Sequence, residues 1–228
     1  KRLGFHRFHC ISSSQLAMMD TIFAMDRAIG AQNAAILYSA PKWARHPNCS
    51  GFVFGQDVIK GGCVPNGPTG LDDFEDFVNL LGSRWGRTNR KARLSHFIVW
   101  NEVASSGWMD CSPDVPNRAG AGGASPLNEA QMGQLVETYA QLMRRTAAAV
   151  ARHYDPNTSS DGAMIWGSFD RLWDRPRQAQ GDVLHVGTKP FLDRLWPMLS
   201  TNFAWSLAVH PYDDGNPRHA QMDLNPRA

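Results

Sequence analysis

The sequence predicts an α/β fold built on a parallel sheet, of the (β/α)-barrel type rather than the open doubly wound type. Strand-like and helix-like segments alternate along its 228 residues, as in strands joined by crossover helices. The long loops follow strands, whereas the connections from helix to strand are shorter, and a barrel builds its active face from such loops. No Gly-x-Gly-x-x-Gly or Walker sequence is present, so the phosphate-cradling turn of a nucleotide-binding doubly wound sheet is missing.

Residues 3–8 form a short candidate strand. Residues 12–14 are serines able to cap a helix whose inward face holds Leu16, Met19, Ile22, Phe23 and Ile29, with Gly30 as its stop. Residues 34–38 are a compact apolar strand ending at Ser39-Ala40-Pro41. A long loop over 42–70, rich in Gly, Pro and Asn, follows, and loops of that length in compact domains are usually functional. Leu71, Phe74, Phe77, Val78, Leu81 and Trp85 mark the next helical face, and residues 97–100 the next strand. Residues 103–124 make a second long loop containing Gly120, Gly122 and Gly123. Ser125 and Pro126 then open a long helix as cap and first-turn proline. Its stripe is Met132, Leu135, Val136, Tyr139, Leu142, Met143 and Val150, and Asp155-Pro156-Asn157 ends it. Residues 163–166 form a strand, and Thr188 and Pro190 open a helix with Phe191, Leu192, Leu195, Trp196 and Leu199 inward. Residues 203–209 are the last of about five strands. With no repeat, low-complexity tract or linker, residues 1–228 read as one domain.

Apolar residues are 43% and charged residues 19% of the chain, enough for a sizeable core and unlike a disordered chain. A net charge of +2 gives no reason to expect nucleic acid or an anionic membrane as partner. No apolar run approaches the roughly 20 residues of a membrane helix, so membrane insertion is not expected. The chain begins Lys1-Arg2-Leu3 without an initiator Met, as expected of a processed or partial product. Four cysteines, Cys10, Cys49, Cys63 and Cys111, permit two disulfides in three pairings. Cys49 and Cys63 bracket one Gly/Pro-rich loop, which favours that pair and leaves Cys10 with Cys111. Asn48-Cys49-Ser50 and Asn157-Thr158-Ser159 are glycosylation sequons at Asn48 and Asn157. Together these lean towards a secreted glycoprotein. His6, His9 and Cys10 have no second ligand pair at suitable spacing, so neither a metal nor another cofactor is expected.

The most informative residues close the strand at 97–100. The run Phe-Ile-Val-Trp ends on Asn101-Glu102, an amide and a carboxyl where an α/β barrel places chemistry. The other strand ends read Ser39-Ala40-Pro41-Lys42-Trp43, Ser168-Phe169-Asp170-Arg171-Leu172-Trp173 and His210-Pro211-Tyr212-Asp213. In a barrel they converge on one mouth. Aromatic faces stack on pyranose rings and polar side chains fix hydroxyls, so the set suits sugar binding and glycosidic cleavage. Trp43, Trp108 and Trp173, just beyond strand ends, are the candidate sugar platforms. Trp85 and Trp196 fall on helical stripes and read as core, while Trp100, Trp166 and Trp205 lie in strands and read as barrel filling. Asp170 can bind a sugar hydroxyl or orient Glu102, and equally can pair with Arg171 or Arg175.

With these motifs the chain resembles the clan A glycoside hydrolases, retaining enzymes on a (β/α)8 TIM barrel whose fourth strand typically ends Asn-Glu. Asn101-Glu102-Val103, Ser168-Phe169-Asp170 and His210-Pro211-Tyr212 are similar, more narrowly, to poorly characterised bacterial glycosidase-like barrel proteins. The resemblance spans residues 34–213. It implies that Glu102 is the general acid/base, that Asn101 binds the sugar 2-hydroxyl, and that His210 and Tyr212 support the nucleophile. It also implies that the chain covers about strands two to six of an incomplete barrel, completed by the rest of its own barrel or by another subunit. In that clan the nucleophile is a Glu on the seventh strand, and no Glu follows Glu137 here. Retaining hydrolysis needs a second carboxylate about 5–5.5 Å from the first. Asp213 reads as a turn residue before Asp214-Gly215-Asn216 rather than a substitute nucleophile. The expectation is thus a glycosidase whose nucleophile lies outside this chain, the alternative being a non-catalytic carbohydrate-binding barrel or structural glycoprotein. A serine hydrolase is disfavoured, because no Gly-x-Ser-x-Gly elbow exists.

Overall fold

The computed structural model describes residues 12–41, 43–45, 52–54, 57–59, 63–65, 67–89, 91–104, 109, 127–155, 163–169, 177–178, 184–185, 187–199 and 203–209. The expected strand at 3–8 lies outside these residues.

Helix α1, Ser13–Ala28, starts where the serines place it. Ser12 is the N-cap: its hydroxyl accepts Gln15 N–H, and its own N–H reaches Gln15 Oε1, both at 3.1 Å. Strand β1, Asn33–Leu37, follows. The long loop expected next is not structureless. It contains a small antiparallel pair, β2 (Phe52–Phe54) and β3 (Asp57–Ile59), and its end belongs to α2, Gly67–Trp85. Strand β4, Leu94–Val99, stops one residue earlier than expected. Helix α3, Glu129–Ala151, is capped by Asn128. Asn128 Oδ1 accepts Gln131 N–H at 2.9 Å, and Gln131 Oε1 accepts Asn128 N–H at 3.1 Å. Strand β5 is Met164–Phe169, longer than expected. A two-residue pair, β6 (Arg177–Gln178) with β7 (Leu184–His185), precedes α4, Thr188–Leu199, and β8, Ser206–Val209.

The main sheet is four-stranded and parallel, in the order β1-β4-β5-β8. Among these strands the order in space is the order in the chain, so no point of reversal occurs. Parallel register aligns Leu37 with Val99 and Val99 with Gly167, and Phe169 with Val209. Odd-numbered residues therefore share one face and even-numbered residues the other.

The odd face meets the helices. Leu37, Phe97, Val99, Ile165 and Phe169 are buried there, with Val78, Leu81, Val136, Leu142, Leu195 and Leu199 from α2, α3 and α4 in the same core. Tyr139, Phe169 and Phe191 form an aromatic triangle with centroids 5.8–6.3 Å apart. Helix α1 joins the layer through Phe23, edge-on to Trp85 at 5.0 Å. Beside it Asp20 accepts from Arg84 Nε at 3.0 Å and Trp85 Nε1 at 2.7 Å.

The expected inward faces hold with two corrections. Ile22 and Ile29 of α1 are exposed rather than inward, lining up with Met18 and Met25 on the solvent side. Trp196 of α4 is 58% exposed rather than core and leans on Trp205 at 5.5 Å. A stripe at helical spacing can face either way, and here the buried positions are Phe23, Phe191 and Leu195.

The even face is different. Ile36 is 54% and Met164 44% exposed there, with Ile98 and Trp166 half-buried. Parallel sheets are ordinarily covered on both faces. Polar groups cross this one in a chain: Trp166 Nε1 donates to His96 Nδ1 at 3.0 Å, and His96 Nε2 lies 2.6 Å from Gln32 Oε1.

Candidate functional site

The carboxyl ends of β1, β4 and β5 meet on the even side of the sheet. Tyr38 follows β1, residues 100–102 follow β4, and Ser168 lies near the end of β5. The positive-φ residues other than glycine in the described residues are all here: Ser39 at 70°, Trp100 at 63° and Glu102 at 42°. Such backbone is strained for side chains with a Cβ, by about 1–3 kcal/mol each, and survives only where surrounding contacts fix it. Those contacts are visible. Trp100 donates its N–H to Leu37 O at 2.9 Å and packs edge-on to Tyr38 at 5.5 Å. Glu102 donates its N–H to Ser168 Oγ at 3.3 Å, and Val103 N–H goes to Ser168 O at 3.2 Å.

Glu102 is therefore not a solvated loop residue. It is 4% exposed, between fully buried Trp100 and Val103. Asn101 beside it is half-buried. The Tyr38 hydroxyl is held well above the ordinary tyrosine range, first by burial and second by the negative charge of Glu102. Tyr38 thus stays a neutral donor in the field of the carboxylate. Sequence reasoning missed Tyr38 because it closes an apolar strand and reads as part of it. Its position, just before Ser39-Ala40-Pro41 at a strand end, was the available signal.

No family model, no curated protein and no solved structure matches this chain. Its site is defined by geometry alone.

Trp43 is 47% exposed, in the turn after β1, where Ala44 N–H bonds Pro41 O at 2.8 Å. That turn is pinned to the end of the following loop: Ala40 N–H reaches Cys63 O at 3.1 Å, and Cys63 is fully buried and disulfide-bonded. Asp170, His210, Tyr212, Trp108 and Trp173 lie outside the described residues, as do Cys10, Cys49, Cys111, Asn48 and Asn157. Among the described residues no group of three or more His, Cys, Asp or Glu side chains could hold a metal ion, and no helix is long and apolar enough to cross a membrane.

A cavity of about 680 Å³ lies elsewhere, between α1 and the segment entering β4, lined by Asp20, Met25, Arg84, Asn89 and Lys91. It faces the amino end of β4, away from Glu102, and its acid is already spoken for by Arg84 and Trp85. Its size alone gives it no chemistry.

Proposed function

We propose that this chain is the central part of a secreted retaining glycoside hydrolase of clan A type, on a (β/α)8 barrel. The observation that carries the reading is Glu102: a buried carboxyl in left-handed backbone at the carboxyl end of a parallel strand, with Tyr38 beside it. Barrel enzymes place their catalytic groups at such strand ends. The barrel is supported by strands that neighbour each other in chain order, by helices α1 to α4 lying on one face, and by an even face whose apolar Ile36 and Met164 need cover. Further βα-units, from the same barrel or another subunit, would supply that cover and pair with the open edges at β1 and β8.

Glu102 protonates the leaving glycosidic oxygen and then activates water as a base. Asn101 binds the sugar 2-hydroxyl. Trp43 offers a stacking surface, and the sequence pattern assigns Trp108, Trp173, Asp170, His210 and Tyr212 to sugar contact. The nucleophilic carboxylate comes from a later strand, about 5–5.5 Å from Glu102.

The test pairs hydrolysis of a panel of 4-nitrophenyl glycosides with binding to a glycan array. In the full-length protein, with the strand that carries the nucleophile, the wild type is expected to release nitrophenol, and Glu102→Gln to bind the same glycans while losing most turnover on unactivated oligosaccharides. Glycan binding without wild-type hydrolysis favours a non-catalytic carbohydrate-binding barrel. Wild-type turnover by Glu102→Gln rejects the assignment.

A further inference from the structure

The Tyr139 hydroxyl, from the middle of α3, sits between the carboxyl ends of β4 and β5. It donates to Val99 O at 2.9 Å and accepts Ser168 N–H at 3.1 Å. Trp100 N–H bonds Leu37 O, so alternate residues 98 and 100 turn their polar groups towards β1, and Val99 turns its own towards β5. With Val99 paired to Gly167, a continued parallel ladder would join Val99 O directly to Ser168 N–H. The phenol bonds both groups of that step.

Three further facts fit a bridging hydroxyl. Tyr139 is fully buried, and burial holds its phenol above the ordinary range, the Ser168 amide bond pulling weakly the other way, so it remains a proton donor. Residue 167 is a glycine, and a Cβ there would stand 3.3 Å from Tyr139 Oη. The residue whose amide the phenol receives, Ser168, is the one that holds Glu102 and Val103 by their N–H groups.

We propose that Tyr139 is a positioning residue: its hydroxyl ties Val99 O to the Ser168 N–H at the last step of β4 and β5 and so sets Ser168, which in turn holds the strained backbone of Glu102. As a statement about catalysis this takes Glu102 to be the acid/base proposed above. As a statement about geometry it stands without that. Removing the hydroxyl takes a bonding partner from both Val99 O and the Ser168 N–H and frees Ser168 to shift. The Glu102 and Val103 amides then lose the fixed position of their Ser168 acceptors.

Amide hydrogen exchange on the chain reads this directly. Tyr139→Phe is expected to speed exchange of the Glu102 and Val103 amides by ~10-fold or more while Phe97, in mid-strand, changes by less than ~2-fold. Ser168→Ala is expected to release Glu102 but not Val103, whose partner is the Ser168 carbonyl. Independently of either variant, the wild-type Tyr139 hydroxyl proton is expected as a slowly exchanging resonance with a nuclear Overhauser effect to the Ser168 amide. Absence of that effect overturns the relay, even where Tyr139→Phe fails to fold. A folded Tyr139→Phe with unchanged Glu102 and Val103 exchange also overturns it. In the full-length protein, on a cleaved 4-nitrophenyl glycoside, Tyr139→Phe is expected to lower kcat with KM nearly constant. A wild-type protein that cleaves none of them removes the glycosidase reading and leaves the relay to be judged by exchange.

Discussion

Tyr38 and Trp100 meet edge to face, ring centroids 5.5 Å apart, across the carboxyl ends of neighbouring parallel strands. Their backbones are joined one step below by Trp100 N–H to Leu37 O. Glu102, two residues past Trp100, is buried, as is the Tyr38 hydroxyl, and the charge of one acts on the other. Buried groups feel one another's charge more than they would in water.

Two causes raise the Tyr38 phenol, burial first and the Glu102 charge second. Glu102→Gln removes only the second. The Tyr38 ionisation midpoint, followed by phenolate absorbance and assigned with Tyr38→Phe, is expected to fall in Glu102→Gln yet remain above the ordinary tyrosine value of about 10. A midpoint that does not move would mean that the two side chains do not sense each other.

His96 predicts a pH dependence of stability. Burial lowers its folded pKa below the ordinary histidine value, and its Nδ1 accepts the Trp166 indole N–H, a bond that a proton on Nδ1 would abolish. The unfolded state therefore takes up protons first as pH falls. The stability is fully present above about pH 6.5 and is lost as pH drops below that, towards the folded pKa. His153, lowered by burial and then by the Arg152 charge, acts with the same sign. Urea midpoints are expected to fall between pH 7.5 and 5, and His96→Gln with His153→Gln to flatten that fall. An unchanged slope in the double variant would exclude both histidines as its source.

What the sequence disclosed and withheld follows from the range of each interaction. The helical stripe of α3 was legible because burial of Met132, Leu135, Val136, Tyr139, Leu142 and Met143 follows from local spacing. The Asn101-Glu102 strand end was legible for the same reason: an apolar run marks its own terminus. The cap of α3 was misplaced because Ser125-Pro126 is the stronger local signal, whereas Asn128 succeeds through its reciprocal bonds with Gln131. Tyr139 reads from spacing only as core. Its hydroxyl bonds depend on Val99 and Ser168, 40 and 29 residues away, which no periodicity encodes. Glu75 was hidden likewise, as a carboxylate among the apolar positions of α2.

Glu75 is an anchor between α2 and α3. Its side chain is 11% exposed and pairs with Arg145 at 2.7 Å and Arg152 at 2.5 Å. Burial alone would raise its pKa, but the hydrogen bonds from Arg145 and Arg152 outweigh that and hold it below the usual carboxylate range. Glu75→Gln is expected to destabilise the fold by about 1–3 kcal/mol at neutral pH, through loss of charge-assisted bonds to partly exposed arginines. Because the folded pKa is depressed, this contribution is present above the ordinary glutamate value and vanishes as pH falls through the folded one. Wild type and Glu75→Gln should therefore converge in denaturation midpoint in acid. A difference that persists there would point to packing rather than charge.

Gly167 offers the sharpest test of how the sheet accommodates Tyr139. A Cβ at 167 would lie 3.1 Å from Phe169 Cε2, 3.1 Å from Trp205 Cζ3 and 3.3 Å from Tyr139 Oη. Phe169 and Tyr139 are fully buried and locked in the same aromatic triangle, so two of the three neighbours cannot swing aside. Glycine in a strand is itself unfavourable by roughly 0.5–1 kcal/mol relative to alanine, whereas overpacking a tight core costs about 1–3 kcal/mol. Gly167→Ala is accordingly expected to lose about 1–2 kcal/mol net in chemical denaturation, with an unchanged denaturant slope because the exposed surface is the same. A variant as stable as wild type would mean that the phenol has room to retreat and that the spacing of β4 and β5 does not depend on it.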